Sequence, residues 1–298
     1  MIKHLLTRIE MNMNTFSKGQ KRIASYIEEH YDKAAYMTAF KLGETVGVSE
    51  STVVRFASEL GYDGYPELQK AMQEMIKEKL TSVQRIEVTE NRIGNSDVLT
   101  SVLTQDIDKI RRTIEDISRE DFNNSIASLT NAENIYVFAV RSTSALANFF
   151  GYYLQLIYGN VHIISTASKS EMYEQLFRIS DKDAMVGISF PRYSTTAVEA
   201  MEFARDRGAD VIAITDSMAS PLVECANHIL IARSDMASIV DSLVAPLSLI
   251  NALIVACVLA RKDQVEHTLT ALEEVWDKQD VYTRREKLFH KDKDSDNG

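Results

Sequence analysis

From the N-terminus to about residue 80, apolar positions recur every three or four residues, and no alternating run is long enough for a strand. Very short turns separate these stretches. The pattern predicts a small all-α module over residues 1–80. Ser17 followed by Gln20 forms a capping box, because the hydroxyl and the amide each satisfy a backbone N–H left over at a helix start. Ile23, Ile27 and Tyr31 then fall on one face. Thr38 opens a second short helix with Leu42 and Val46 inward and Gly47 at its end. Ser49 caps a third, which runs to about Leu60 and stops at Gly61. Beyond Tyr65 and Pro66 another helix reaches about Leu80, and the polar run 81–97, containing Gly94, reads as a linker.

From Val98 to about Thr130 the pattern is helical again, and then the period changes. Ile135 to Val140, Val161 to Ile164, Ala184 to Phe190, Val211 to Thr215 and His228 to Ala232 are short apolar runs spaced by helical stretches. That alternation predicts a parallel sheet with helices on both faces. Right-handed crossovers bring the loops after the strands to one edge, where open α/β sheets bind ligands. Leu243 to Ala260 is apolar enough to be weighed as a membrane span. It holds Pro246, Ser248 and Asn251 between Asp241 and Arg261, which favours a buried core or interface helix. The charged tail from Lys262 predicts helix to about His290 and a frayed end over 291–298. The division expected is therefore 1–80, a linker over 81–97, and an α/β domain with a helical tail over 98–290.

Composition sharpens this picture in two places. With 45% apolar and 26% charged residues and only 11 Gly and 4 Pro, the 298-residue chain is neither fibrous nor largely disordered, and it can bury two cores. Cys225 and Cys257 are too few for a disulfide framework or a cysteine zinc site, and the first ten residues offer no unbroken apolar core of a signal peptide. A cytoplasmic protein is expected. The formal charge of −10 is uneven: residues 1–80 hold 11 basic and 11 acidic side chains, and the remainder holds 22 against 32. A neutral N-terminal module can still present a local basic face to phosphate.

The stretch Phe40 to Gly61 reads as a helix-turn-helix. Leu42, Val46, Val48, Val53 and Leu60 are spaced to share one small core, and Gly47 relieves the turn. Ser49, Glu50, Ser51, Thr52 and Arg55 then lie toward the start and outward face of the second helix, where a recognition helix enters a major groove. Arg55 has the fork that suits O6 and N7 of guanine, and Ser51 and Thr52 suit phosphate or a single base edge. Glu50 either accepts from cytosine or stabilises the helix start. The plainer alternative is a three-helix bundle whose polar face is simply solvated.

Two strand-end loops are dense in hydroxyls and arginine. Arg141-Ser142-Thr143-Ser144 follows the first strand, with Ser142 placed to cap the next helix. Ser189-Phe190-Pro191-Arg192-Tyr193-Ser194-Thr195-Thr196 follows the third. At one sheet edge they can cradle a phosphate between two helix starts. Structural capping alone is the competing account.

The run Gly-Val-Ser-x-Ser-Thr-Val-x-Arg-Phe from Gly47, followed by Leu-Gly-Tyr, resembles the RpiR family of bacterial transcriptional regulators over about Thr15 to Ala71. Ile135 to Ala147, Val186 to Thr196 and Gly208 to Ser217, with Ser220-Pro221-Leu222 afterwards, resemble the sugar isomerase (SIS) domain that this family carries, over about Asp106 to Ala260. The resemblance implies an all-α helix-turn-helix domain followed by a flavodoxin-like parallel sheet that binds phosphorylated sugars, with Ser142, Ser189 and Ser194 on the phosphate. The chain departs from the family in two loops. Val140-Arg141 replaces a glycine-containing first loop, and Pro191-Arg192 replaces the usual Ser-Gly of the second. The two arginines either add charge for the anion or fill the pocket.

A sugar isomerase needs a base beside the carbonyl. Glu171 and Glu174 are candidates, but a solvated helix face accounts for them. His162 reads as a core histidine, and His228 has no partner at metal-ligand spacing. No Walker loop, dinucleotide fingerprint or nucleophile elbow is present. The chain is therefore expected to be a non-enzymatic transcriptional regulator without cofactor or metal. It would bind double-stranded operator DNA through 49–55 and a phosphorylated sugar through Arg141, Ser142, Ser144, Ser189, Arg192, Ser194 and Thr195. Two-half-site reading implies a homodimer or homotetramer, with no membrane partner. The rival readings are a sugar-phosphate isomerase, a non-catalytic sugar-phosphate-binding module, or a module that docks another protein.

Overall fold

The computed structural model describes residues 5–79, 97–166, 168–234 and 240–282, together with 83, 85, 86, 89, 90 and 94. The first part is helical: α1 (Leu5–Asn12), α2 (Lys18–Glu29), α3 (Tyr31–Ala34), α4 (Ala39–Val46), α5 (Glu50–Glu59) and α6 (Tyr65–Lys79). The capping box forms as expected, with Ser17 accepting from the Gln20 N–H and Gln20 Oε1 accepting from the Ser17 N–H. Leu42, Val53 and Leu60 are buried and Val46 and Val48 pack half-buried against them. Phe56 fills the centre, its ring 5.1 Å from that of Phe16. In the run 81–97, the described residues 83, 85, 86, 89 and 90 are helical.

The second part begins with α7 (Val98–Asp116) and α8 (Arg119–Asn131) and continues through five strands: β1 (Ile135–Phe138), β2 (Val161–Ile164), β3 (Ala184–Ile188), β4 (Asp210–Thr215) and β5 (His228–Ile231). All pairs are parallel and the order is β2-β1-β3-β4-β5, the flavodoxin-like arrangement. Between strands lie α9 (Ser144–Ile157), α10 (Lys169–Leu176) and α11 (Thr195–Asp206), and after them α12 (Val244–Ala260) and α13 (Lys262–Lys278).

Period-two alternation divides the sheet between two cores. Ile135 and Val137 of β1, Val186 of β3 and Ile214 of β4 join α8, α9 and α12 on one face. Tyr136, Phe138, Met185 and Ala213 meet α10 and α11 on the other. Helix α12 is buried along one side within the chain. Among the described residues no single helix is long and apolar enough to cross a membrane. Cys225 and Cys257 are free and buried, and burial pushes both thiols up, which makes them poor nucleophiles.

One expectation fails here. His162 is not a core residue: β2 is the sheet edge, so alternate side chains there face outward, and the exposed ring stacks on Tyr136 at 4.8 Å.

Candidate functional site

Two separate constellations emerge. The first is built on α4 and α5. Gly47 takes a left-handed φ of 71°, which lets the Val48 N–H reach back to Gly43 O at 2.8 Å. Gly43 is required for a different reason: a Cβ there would stand 2.8 Å from Val48 O. Arg22 donates to Gly47 O at 2.9 Å and ties α2 to the same turn. Ser49 caps α5, accepting from the Thr52 N–H, and its hydroxyl bonds to those of Ser51 (2.9 Å) and Thr52 (2.8 Å). Glu50, Ser51, Val54, Arg55 and Ser58 form the exposed side of α5, opposite buried Val53, Phe56 and Ala57. Among the described residues Arg55 is held by a long 3.4 Å bond to Ser51 O one turn back. Val54, 39% exposed, shares this stripe. It was missed from the sequence, although its three-residue spacing from Ser51 marks it.

The second constellation lies where strand order reverses between β1 and β3. The loops after these two strands meet there in a cleft of about 550 Å³, open mouth included. Arg141, Ser142, Ser189, Arg192 and Ser194 line it, together with Arg85, Thr143 and Asp241. Arg141 stands at φ 60° and opens a 3₁₀ turn, Arg141–Thr143. Thr143 Oγ1 donates to Val140 O (2.7 Å) and Ser144 Oγ donates to Arg141 O (2.6 Å), so both hydroxyls serve to close the turn. Ser142 does not cap α9, contrary to expectation, because the 3₁₀ turn intervenes and shifts the N-cap to Thr143, which makes no side-chain capping bond. On the second loop, Ser189 Oγ accepts from the Ser194 N–H at 3.2 Å, and Tyr193 Oη donates to Asp216 at 2.7 Å. Ser194 occupies the N-cap of α11 without a side-chain capping bond, and the residue lines the cleft. Ser144 and Thr195 stand outside the lining.

Arg85 and Asp241 had no signal in the sequence, being 156 positions apart. They pair at 3.1 Å with both side chains largely enclosed. Burial pushes the Asp241 carboxyl up despite the opposing pull of Arg85, Arg192 and Arg141, and burial lowers Arg85. Ser242 holds the Asp241 strap to α7 by donating to Asp106 at 2.7 Å, and Asp106 also accepts from Lys109.

The isomerase candidates lie elsewhere. Glu171 accepts from Thr166 and Glu174 from Ser170, both exposed and outside the cleft. His228 sits at the N-terminal end of β5, 3.2 Å from Asp210, at the sheet edge remote from the loops. Among the described residues no cluster of three His, Cys, Asp or Glu is placed to hold a metal ion.

An exposed helix on a tight helical turn, followed by an α/β domain with a polar cleft at its switch point, defines a helix-turn-helix protein with an SIS domain. Residues 3–79 match the helix-turn-helix domain of the rpiR family and residues 128–256 match the SIS domain. The chain belongs to the RpiR family of transcriptional regulators. A helix-turn-helix transcriptional regulator of Haemophilus influenzae, itself uncharacterised, is 24% identical over 231 residues, covering 76% of this chain and 79% of the relative. The sugar isomerase domain of an RpiR transcription factor from Sphaerobacter thermophilus matches with a TM-score of 0.57 and 24% identity, over 59% of this chain and 98% of that one. The NanR protein of Vibrio vulnificus, solved with ManNAc-6P, matches with a TM-score of 0.58 and 21% identity, over 94% of this chain and all of that one.

Proposed function

We propose that α5 reads operator DNA and that a phosphorylated sugar in the cleft modulates operator affinity. The observation that carries this reading is the convergence of three arginines and three serines on one cleft at the sheet's switch point, behind a helix-turn-helix whose outward face carries Arg55. A phosphate monoester carries about −1.5 to −2 charge near pH 7 and three acceptor oxygens, which guanidinium forks and serine hydroxyls complement. Arg141 and Arg192 therefore add charge for the ligand and do not fill the pocket. Ser142, Ser189 and Ser194 supply hydroxyl donors, and Ser144 and Thr195 support the two helix starts behind them.

On α5, Arg55 reads guanine, Ser51 and Thr52 contact phosphate or a base edge, and Val54 adds apolar contact to a thymine methyl. Ser49 and Glu50 stabilise the helix start. The chain works as a homodimer or homotetramer on paired half-sites, in the compartment that holds the chromosome, and without catalysis. The domains divide at 80 and 98. ManNAc-6P, seen with NanR, puts amino-sugar phosphates among the first effectors to test.

Replacing Arg55 with Ala should weaken retention of a duplex selected by the protein from a random pool by about 10- to 100-fold, with an unchanged thermal midpoint. Equal retention would remove the recognition-helix assignment. For the cleft, thermal shift with ManNAc-6P and glucose 6-phosphate, but not with the unphosphorylated sugars, should raise the midpoint of the wild-type chain, and the double change R192A and S194A should abolish the shift. Interconversion of those sugar phosphates by the pure protein would establish the isomerase reading instead.

A further inference from the structure

One guanidinium of the cleft comes from neither strand-end loop. Arg85 belongs to the run 81–97 between the helical module and the α/β domain, yet it is 5% exposed and lines the cleft. The described residues around it are helical, and Thr89 donates to Arg85 O at 2.7 Å, one turn on. Val83 and Ile86 on the same turns are 66% and 50% exposed. Among its described residues the connecting segment thus buries Arg85 against the α/β domain and leaves Val83 and Ile86 outside, the reverse of what hydrophobic burial alone would select. An electrostatic contact sets its position.

One of the contacts that hold it is Asp241, at 3.1 Å. Among the described residues that line the cleft, three guanidiniums stand against one carboxylate, a formal surplus of two positive charges, which matches the charge of a phosphate monoester near pH 7. Asp241 is held independently of Arg85, through Ser242 on Asp106 and Ser234 on Ser242 O at 3.1 Å. The carboxylate therefore stays with the α/β domain when its partner moves. A phosphoryl group between Arg141 and Arg192 offers Arg85 a second anion, with more charge and more acceptor oxygens than the carboxylate.

We infer that Arg85 is a phosphate ligand of the cleft that exchanges the Asp241 carboxylate for the phosphoryl group, so that the segment joining the two domains registers occupancy. This rests on the reading of the cleft as a phosphosugar site and adds its regulation. The two anions place the connecting segment differently, and that difference is what a ligand needs in order to bias the DNA-binding helices. By linkage, operator DNA alters sugar-phosphate affinity by the same factor as the sugar phosphate alters operator affinity.

The test is calorimetric titration of the full chain with ManNAc-6P, glucose 6-phosphate and inorganic phosphate, on wild type, R85Q and D241N, together with affinity for a selected duplex with and without sugar phosphate. R85Q should weaken sugar-phosphate binding by about 10-fold or more, since a buried charge-assisted bond is lost, and should bring the ratio of the two duplex affinities toward one. D241N should tighten sugar-phosphate binding by about 3- to 10-fold, because the competing carboxylate is gone. Wild-type binding that R85Q leaves unchanged would overturn the inference and leave the phosphosugar reading standing. Absence of binding by wild type and D241N alike would overturn both. Should R85Q fail to fold, D241N decides: tighter binding supports the exchange, and unchanged binding refutes it.

Discussion

Arg141 holds a left-handed backbone, φ 60°, at a position where the family's usual loop contains glycine. For a residue with a Cβ that conformation costs about 1–2 kcal/mol. Strain of this kind persists where the side chain has a use, and here the guanidinium lines the cleft. Arg141→Gly should accordingly raise stability by about 1 kcal/mol in urea unfolding while weakening sugar-phosphate binding. A variant that is both less stable and equally good at binding would contradict the assignment. Tyr65 shows a different residue-scale effect. Its hydroxyl donates to Met37 O at 2.7 Å, and burial pushes the phenol from 10.0 to about 12. Since the folded phenol keeps its proton to higher pH than the unfolded one, this contribution is whole below pH 10 and is lost as pH climbs through 12. Tyr65→Phe should lower stability by about 1 kcal/mol at pH 8, and should flatten the alkaline fall of stability between pH 10 and 12 measured by circular dichroism.

At the scale of elements, the helix-turn-helix depends on close approach more than on helix propensity. The turn brings Val48 O so near Gly43 that Gly43→Ala must displace either the turn or α5. We expect a loss of about 1–3 kcal/mol in the helical module and a parallel loss of DNA retention, read by urea unfolding and by gel shift. Phe56→Ala empties the centre of the same core and should cost about 3–5 kcal/mol. The α/β elements are set by alternation. The central strands β1, β3 and β4 send successive side chains into different cores, and the two loops that follow β1 and β3 become neighbours because those strands pair directly, Ile135 opposite Ala184.

For the molecule as a whole, charge and exposed apolar surface determine what it meets. The acidic excess lies outside residues 1–80, so the module that presents Arg55 is nearly neutral, and the DNA affinity proposed for it should fall steeply with salt. Along α7, Val98, Leu99, Val102, Leu103 and Ile107 are all more than 40% exposed, and α12 adds Val255 and Leu259. We propose this stripe as the face that meets a second copy in the oligomer proposed above. On that proposal wild type should sediment as an oligomer in analytical ultracentrifugation, and the double change Leu99→Asp and Leu103→Asp should yield monomer and weaken binding to a two-half-site duplex far more than to a single half-site. Retention of the wild-type mass would move the interface elsewhere.

The helices, their caps and the strand runs follow from local rules of spacing, hydroxyls and glycine, all of which act within a few residues. Ser17 with Gln20, Thr38, Gly47 and Ser49 do what their positions imply. So do the outward placement of Arg55 and the meeting of the loops at Arg141 and Arg192. Contacts between residues far apart in the chain were decided by the packed structure. His162 is exposed because β2 closes a sheet edge, and Arg85 meets Asp241 across 156 positions, whereas the 3₁₀ turn that takes the cap from Ser142 is a local feature that hydroxyl spacing alone did not reveal. Local hydrogen bonding has a short reach along the chain, whereas charge pairing in a cleft depends on which strands lie side by side. Only the folded sheet sets that.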